Sequence, residues 1–210
     1  MSVWGLSVLA EIVELGREGL RNIFPKKGAY PMMRSPSIAV KKTVALTTPL
    51  GRICLLFSDK GIVRIDLASD HRRRGRDTGR PTSAVERRAS KLLRQYAGGR
   101  DVAFYLPLDL GKATSFQRAV WRATASIPYG ETRSYAWVAK RVGRPHAARA
   151  VGQALGANPV PIIIPCHRVI SSSGGLGGFS GGLSMKRRLL DREAGRTGGA
   201  ERRRRKQSGR

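Results

Sequence analysis

Residues 134–170 read "SYAWVAKRVGRPHAARAVGQALGANPVPIIIPCHRVI", and the order of features in this stretch decides the architecture. A short helical run over 133–143 stops at Gly143, a turn follows at Pro145, and a second helical run over 146–158 begins at once. Helix, short turn and helix in a basic context predict a helix-turn-helix. The second helix is thin, because Ala147, Ala148, Ala150, Gly152, Ala154, Gly156 and Ala157 leave Arg149 as the long side chain of its opening turns. An ordinary helix is about 10–12 Å across with its side chains, whereas a DNA minor groove is about 6 Å wide. A helix of alanine and glycine approaches a groove that a bulky one cannot, although the same composition also suits tight packing against another element. Arg149 then either pairs with a phosphate or enters the base stack where a nucleotide has been extruded.

The stretch ends on Pro165-Cys166-His167-Arg168, which places one of two cysteines beside one of three histidines. Cysteine is often just a small buried hydrophobe. As a nucleophile it requires a base, since a free thiol with a pKa of about 8.5 is only slightly ionised at neutral pH. Neighbours on an extended segment point to opposite faces, so direct contact between Cys166 and His167 is not assured and a bridging water is a reasonable link. A third group should orient the imidazole. Carboxylates are sparse in this half, with Glu131, Asp191 and Glu193 as the choices before residue 195, and Glu193 is the candidate. The following "SSSGGLGGFSGG" (171–182) is too glycine-rich for a strand and lacks the ending of a phosphate-binding loop. It reads either as a flexible linker or as a lid whose amides and hydroxyls bind a planar ligand.

Working outward, "VALTT" (44–48), "RICLLFS" (52–58) and "IVRIDLA" (62–68) are strand-like, the last two joined by a turn at Asp59-Lys60-Gly61. Ser83 and Glu86 have capping-box spacing ahead of a helix that buries Ala89, Leu92, Leu93 and Tyr96 and stops at Gly98-Gly99. Thr114 and Gln117 repeat the device before a helix carrying Phe116, Val120 and Trp121. The reading is an α/β chain in four parts. Residues 1–37 form an extension (an amphipathic helix, then a linker), and 38–110 a small α/β domain with little visible chemistry. Residues 111–195 form a mostly helical domain carrying the chemistry, and 196–210 a basic tail.

The chain carries 40 Lys+Arg against 14 Asp+Glu, a net charge of +26. That excess selects a polyanionic partner, with nucleic acid ahead of an acidic membrane surface. The N-terminal segment is interrupted by Glu11, Glu14 and Arg17 before a spanning length is reached, so neither a signal peptide nor a membrane span is expected. Two cysteines far apart, without C-x-x-C spacing, argue against a disulfide framework or a zinc site and favour a reducing intracellular compartment.

"FQRAVWRATASIPYGETRSYAWVA", "AARAVGQALGANPVPIIIPCHRVI" and "GGFSGG" together resemble the O6-alkylguanine-DNA alkyltransferases, or methylated-DNA–protein-cysteine methyltransferases, closely over 112–195 and loosely over 38–110. The resemblance implies a ribonuclease-H-like N-terminal domain and a winged-helix-like C-terminal one. It implies a monomer that binds double-stranded DNA through the minor groove, flips the damaged base and takes the alkyl group of O6-alkylguanine, and of O4-methylthymine, onto its own cysteine once. Residue by residue, Cys166 matches the alkyl acceptor, His167 the base acting through water, and Glu193 the acid orienting the histidine. Tyr135 matches the tyrosine beside the flipped guanine, Arg149 the arginine finger, and Asn158 the asparagine tying the recognition helix to the active-site turn. Val169 and Ser180 match guanine contacts and Ser172 a DNA contact. Phe179 stands where some members carry tyrosine, which alters a ring-edge contact. No cofactor is implied, and the zinc ligands of some members are not matched, Cys54 having only His71 near it in its domain. The bland alternatives are a relative that binds alkylated DNA without transfer, which Cys166 opposes, and a helix-turn-helix regulator with a structural Cys166.

Overall fold

The computed structural model describes residues 38–67 and 79–195. The expected N-terminal amphipathic helix, most of the arginine-rich loop with His71, and the basic tail lie outside the described residues. Strands β1 (Lys42–Thr48), β2 (Gly51–Ser58) and β3 (Gly61–Leu67) form an antiparallel sheet in sequential order. Alternate residues point inward, as period two demands: Val44 faces Leu55 and Leu46 faces Ile53 across β1–β2, and Leu55 faces Ile65 across β2–β3. All five are buried. Gly61 opens β3 at φ 146°, and a Cβ there would lie 2.3 Å from the Pro107 carbonyl oxygen. Only glycine lets residues 107–109 come alongside, where Ile62 N–H donates to the Pro107 carbonyl and Asp109 N–H to that of Ile62.

Helix α1 (Ala84–Ala97) begins in the expected capping box, Ser83 accepting from Glu86 N–H, and ends at Gly98. It lays Ala89, Leu93 and Tyr96 into the core, while Leu92 is half-buried. Helix α2 (Ser115–Ala125) starts in the second predicted capping box, Thr114 with Gln117. The helix-turn-helix is α3 (Tyr135–Arg141) and α4 (Ala148–Gly156), both shorter than the sequence suggested. Gly143 makes the turn at φ 72°. Trp121 of α2 donates its indole N–H to the Ala154 carbonyl at 2.8 Å, so the small residues on the inner side of α4 serve close packing. The packing reading of its thinness therefore holds on that face.

A feature the sequence did not suggest follows: β4 (Arg133–Ser134) pairs in parallel with β5 (Val169–Ile170). Residues 166–168 are a correction. They form one turn of 3-10 helix rather than an extended segment, because Cys166 N–H returns to the Ile164 carbonyl and Arg168 N–H to that of Pro165. Helix α5 (Leu183–Glu193) packs against that turn. The architecture is mixed α/β, a three-stranded sheet packed by α1, joined to a helical body through the Ile65 N–H to Pro159 carbonyl bond and through Tyr96 of α1. No helix among the described residues is long and apolar enough to cross a membrane.

Candidate active site

The run 158–165 reaches Cys166 through a strained loop. Ile162 has φ 77°, the one non-glycine residue with positive φ among the described residues, a costly conformation for a β-branched side chain. Asn158 holds it in place: Oδ1 accepts from Val160 N–H at 3.0 Å, and Nδ2 donates to the Ile164 carbonyl at 2.8 Å. The same Nδ2 lies 3.2 Å from Cys166 Sγ, so one side chain ties the end of α4 to the loop and to the thiol. From the other side, Ile65 N–H of β3 donates to the Pro159 carbonyl at 2.9 Å.

Cys166 is 5 % exposed and forms the floor of a cleft of about 590 Å³. Tyr135, Arg149, Phe179 and Ser180 stand around it, with Gly152 and Gly156 of α4 on the near wall. Arg149 is exposed on the first turn of α4. Gly177 has φ 65°, and a Cβ on it would come within 2.5 Å of the Tyr135 hydroxyl, so the glycine-rich segment touches the tyrosine directly. Val169 and Ser172 are placed elsewhere. Val169 is buried in β5 with its carbonyl engaged by Lys186, and Ser172 is exposed beyond the strand; neither lines the cleft.

Behind the thiol, His167 is fully buried. Its Nε2 lies 2.7 Å from Glu193 Oε1, and a carboxylate can only accept, so Nε2 carries the proton and Nδ1 the lone pair. Nδ1 is buried and has no hydrogen-bond partner among the described residues. Glu193 is saturated. Oε1 also accepts from Tyr96 hydroxyl at 2.7 Å and from Arg168 at 3.0 Å, while Oε2 accepts from Arg168 Nε at 2.8 Å and from Gly130 N–H at 3.1 Å. Burial opposes ionisation of Glu193, but the hydrogen bonds from His167 and Arg168 and the Arg168 charge outweigh it and bring the carboxyl down to about 2. Burial lowers the His167 pKa in spite of Glu193, so the ring rests neutral. Burial raises the Cys166 thiol, against the Asn158 hydrogen bond and Lys186. The resting pair is a protonated thiol and a neutral imidazole with a free acceptor nitrogen. The thiolate exists only when the proton moves.

Three residues of this site escaped the sequence reading. Tyr96 comes from the domain expected to carry little chemistry, which corrects that expectation. Arg168 looked like one more arginine, yet it brackets Glu193 and donates to the Ile127 carbonyl at 2.6 Å. Lys186 is buried, and its Nζ donates to the carbonyls of Val169 (2.6 Å), Gly178 (3.3 Å) and Leu176. Burial brings its pKa down to about 8, with Cys166 opposing. It clasps the glycine-rich segment to β5. A signal existed: Lys186, Leu189 and Glu193 share the buried stripe of α5, where charged residues need partners. No group of three His, Cys, Asp or Glu that could hold a metal occurs among the described residues.

The carboxylate network makes a stability prediction. Because the Glu193 carboxyl is held at about 2 against an ordinary 4.5, its contribution is fully present above 4.5 and is lost as pH falls toward 2. Glu193→Gln should lower stability at neutral pH by about 3 kcal/mol, since Arg168 is left with a neutral partner. It should also flatten the acid slope in urea unfolding measured at a series of pH values. Glu86, also held at about 2, keeps part of that slope. An unchanged slope in the variant would contradict the assignment.

A family profile described as "6-O-methylguanine DNA methyltransferase, DNA binding domain" matches residues 115–195. The methylated-DNA–protein-cysteine methyltransferase of Mycobacterium tuberculosis strain H37Rv is 49 % identical over 120 residues, covering 57 % of this chain and 69 % of the relative. That of Methanosarcina barkeri is 40 % identical over 153 residues, 70 % of this chain and 94 % of the relative. Among solved structures, the Mycobacterium tuberculosis OGT in complex with DNA superimposes with a TM-score of 0.65 at 40 % identity, covering 74 % of this chain and 94 % of that one.

Proposed function

The chain belongs to the methylated-DNA–protein-cysteine methyltransferase family, and from that premise we propose that it repairs DNA by moving the alkyl group of O6-alkylguanine onto Cys166. The observation that carries the reading is the buried series Cys166, His167, Glu193 at the floor of a cleft whose rim bears Arg149. The division of labour follows the chain: 38–110 as an N-terminal domain of ribonuclease-H-like kind, and 111–195 as the winged-helix-like DNA-binding and alkyl-acceptor domain.

The chemistry is one displacement. His167 Nδ1 takes the thiol proton through a bridging water, which the tautomer fixed by Glu193 makes possible. The thiolate sulfur attacks the alkyl carbon in line, a C–S bond forms, the C–O6 bond breaks, and the electron pair leaves on guanine O6. The purine takes up one proton through the Tyr135 hydroxyl beside it, and His167 gives up the proton it received, by way of water, so that the imidazole returns to neutral. Atoms and charge balance without a cofactor. The thioether offers no leaving group to water, so each protein molecule acts once.

Reaching the carbon requires the nucleotide to leave the duplex, at a cost of a few kcal/mol that is smallest for a damaged base. Arg149 occupies the vacated space from α4 lying in the minor groove, where a slim helix fits. Asn158 aims the thiol, and Ser180 and Phe179 meet the guanine. Ser172, exposed beyond β5, is a DNA contact, whereas Val169, matched to a guanine contact, is buried and does not line the cleft. O4-methylthymine presents the same reacting group and belongs to the substrate range.

Incubation with a duplex carrying one O6-methylguanine, followed by intact-mass and peptide analysis, tests the reading. The expected result is gain of one methyl in place of hydrogen on the peptide containing Cys166, with one equivalent of unmodified guanine in the DNA. DNA bound without any mass gain would instead support a non-transferring recognition protein.

A further inference from the structure

Tyr96 lies outside the alkyl-acceptor domain, 71 positions from His167 and 97 from Glu193. Nevertheless its hydroxyl sits 2.7 Å from Glu193 Oε1 and 3.2 Å from His167 Nε2. The side chain is 1 % exposed. Its ring is packed edge-on against Tyr129 and His167 and tilted against Phe104, with centroids 6.2, 6.4 and 6.0 Å away. The ring alone would satisfy the core. A hydroxyl at this depth must find partners, and its acceptor is the Glu193 oxygen that orients the base, with the His167 Nε2–H beside it.

We propose that Tyr96 is a positioning residue for alkyl transfer: by sharing Glu193 Oε1 with His167, the N-terminal domain sets the direction and proton affinity of the base that takes the Cys166 proton. Glu193 Oε1 receives the Tyr96 hydroxyl, His167 Nε2 and Arg168 together. The tyrosine hydroxyl cannot ionise here, since burial and then the neighbouring carboxylate push its pKa far above the ordinary value, so it remains a donor at every working pH. As a donor it draws negative charge from Oε1. Removing it leaves the carboxylate a stronger acceptor toward Nε2–H, which favours the imidazolium. An imidazolium has no lone pair on Nδ1 and cannot receive the thiol proton. The second tie, Ile65 N–H to the Pro159 carbonyl, fixes the same sheet-bearing domain to the loop before Cys166, so the base and the nucleophile are aligned from one support.

The other charged and titratable groups around the pair are Arg168 on the 3-10 turn, Tyr129 ahead of β4, and Lys186 and Arg192 on α5, with Cys166 itself beyond. Tyr129 in turn faces Asp101. None of them is altered by Tyr96→Phe, which keeps the ring and deletes only the hydroxyl. Tyr96→Leu removes the ring contacts too and serves as the packing control.

The inference rests on the alkyl-transfer reading, and single-turnover kinetics on the full chain separate the two. For Tyr96→Phe the transfer rate should fall about fivefold to tenfold, and by the same factor with a methylated duplex and with free O6-benzylguanine. The midpoint of the acidic limb of its pH–rate profile should move to higher pH, at a melting temperature close to that of the unaltered protein. Tyr96→Leu should lose stability as well. A wild-type rate and an unshifted profile in Tyr96→Phe, with transfer normal in the parent, overturn this inference alone. So does a rate loss that tracks only the unfolded fraction and disappears on cooling. No transfer in the parent overturns the underlying reading and this inference with it.

Discussion

Cys166→Ala should abolish alkyl transfer while leaving duplex binding in place. The cleft floor offers no substitute: among its lining residues only Tyr135, Ser180 and Cys166 carry a hydroxyl or thiol, and a hydroxyl without an adjacent base is a weak nucleophile at neutral pH. The loss should exceed a thousandfold, the scale expected when a covalent nucleophile is removed from its constellation (about 4 kcal/mol or more). Affinity for unmodified duplex should change by less than about threefold, well under 1.4 kcal/mol, because Arg149 and the exposed basic face of α3 and α4 are untouched. The fold survives, since Asn158 Nδ2 keeps its bond to the Ile164 carbonyl and a single buried sulfur leaves a small void. Gel-shift titration beside the mass assay checks both halves. Retained methyl gain in the variant would move the acceptor elsewhere, and lost binding would mean that Cys166 holds the DNA-binding surface together.

What could be read from the chain alone was whatever is written locally. Both capping boxes are four-residue patterns, and Ser83–Glu86 and Thr114–Gln117 occur where the pattern places them. The three strands declare themselves by period-two alternation and the turn at 59–60. The β4–β5 pair does not, because two residues per strand have no period to detect. The turn at Cys166–Arg168 is not legible in the sequence because proline and β-branched neighbours favour extended backbone, whereas the bonds from Cys166 and Arg168 to Ile164 and Pro165 are decided by the loop that Asn158 holds. Cys166, His167 and Glu193 emerged from scarcity and motif together. Tyr96 could not emerge, since on the helix stripe it occupies the same kind of position as Leu93. Whether a core tyrosine spends its hydroxyl on a catalytic carboxylate is a fact about two segments far apart in the chain.

These buried contacts also separate two jobs that the surface does not. On the mechanism proposed above, Tyr96, Glu193 and His167, buried behind Cys166 at the cleft floor, serve the displacement itself, on any alkyl donor that reaches the sulfur. On the same proposal Arg149, exposed at the rim, serves delivery. Lys186, holding the glycine-rich segment by three carbonyls, stands between the two, shaping the wall that both a flipped nucleotide and a free base must meet.

Arg149→Ala therefore splits two substrates that Tyr96→Phe treats alike. With a methylated duplex the transfer rate should fall about 10- to 100-fold, equivalent to about 1.4–2.8 kcal/mol of lost support for the extruded state. With free O6-benzylguanine it should stay within about twofold, because no stack is opened and the base–thiol series is intact. The reasoning makes a graded demand as well. Extrusion costs less where the lesion is poorly paired, so the defect should shrink when O6-methylguanine sits opposite a mismatched base or an abasic site, and shrink further in single strands. A phosphate-clamping arginine predicts otherwise: weaker binding of every duplex, a shallower salt dependence, and no dependence on how firmly the lesion is paired. Equal losses on duplex and free base would remove Arg149 from delivery altogether and place it with the groups that shape the cleft.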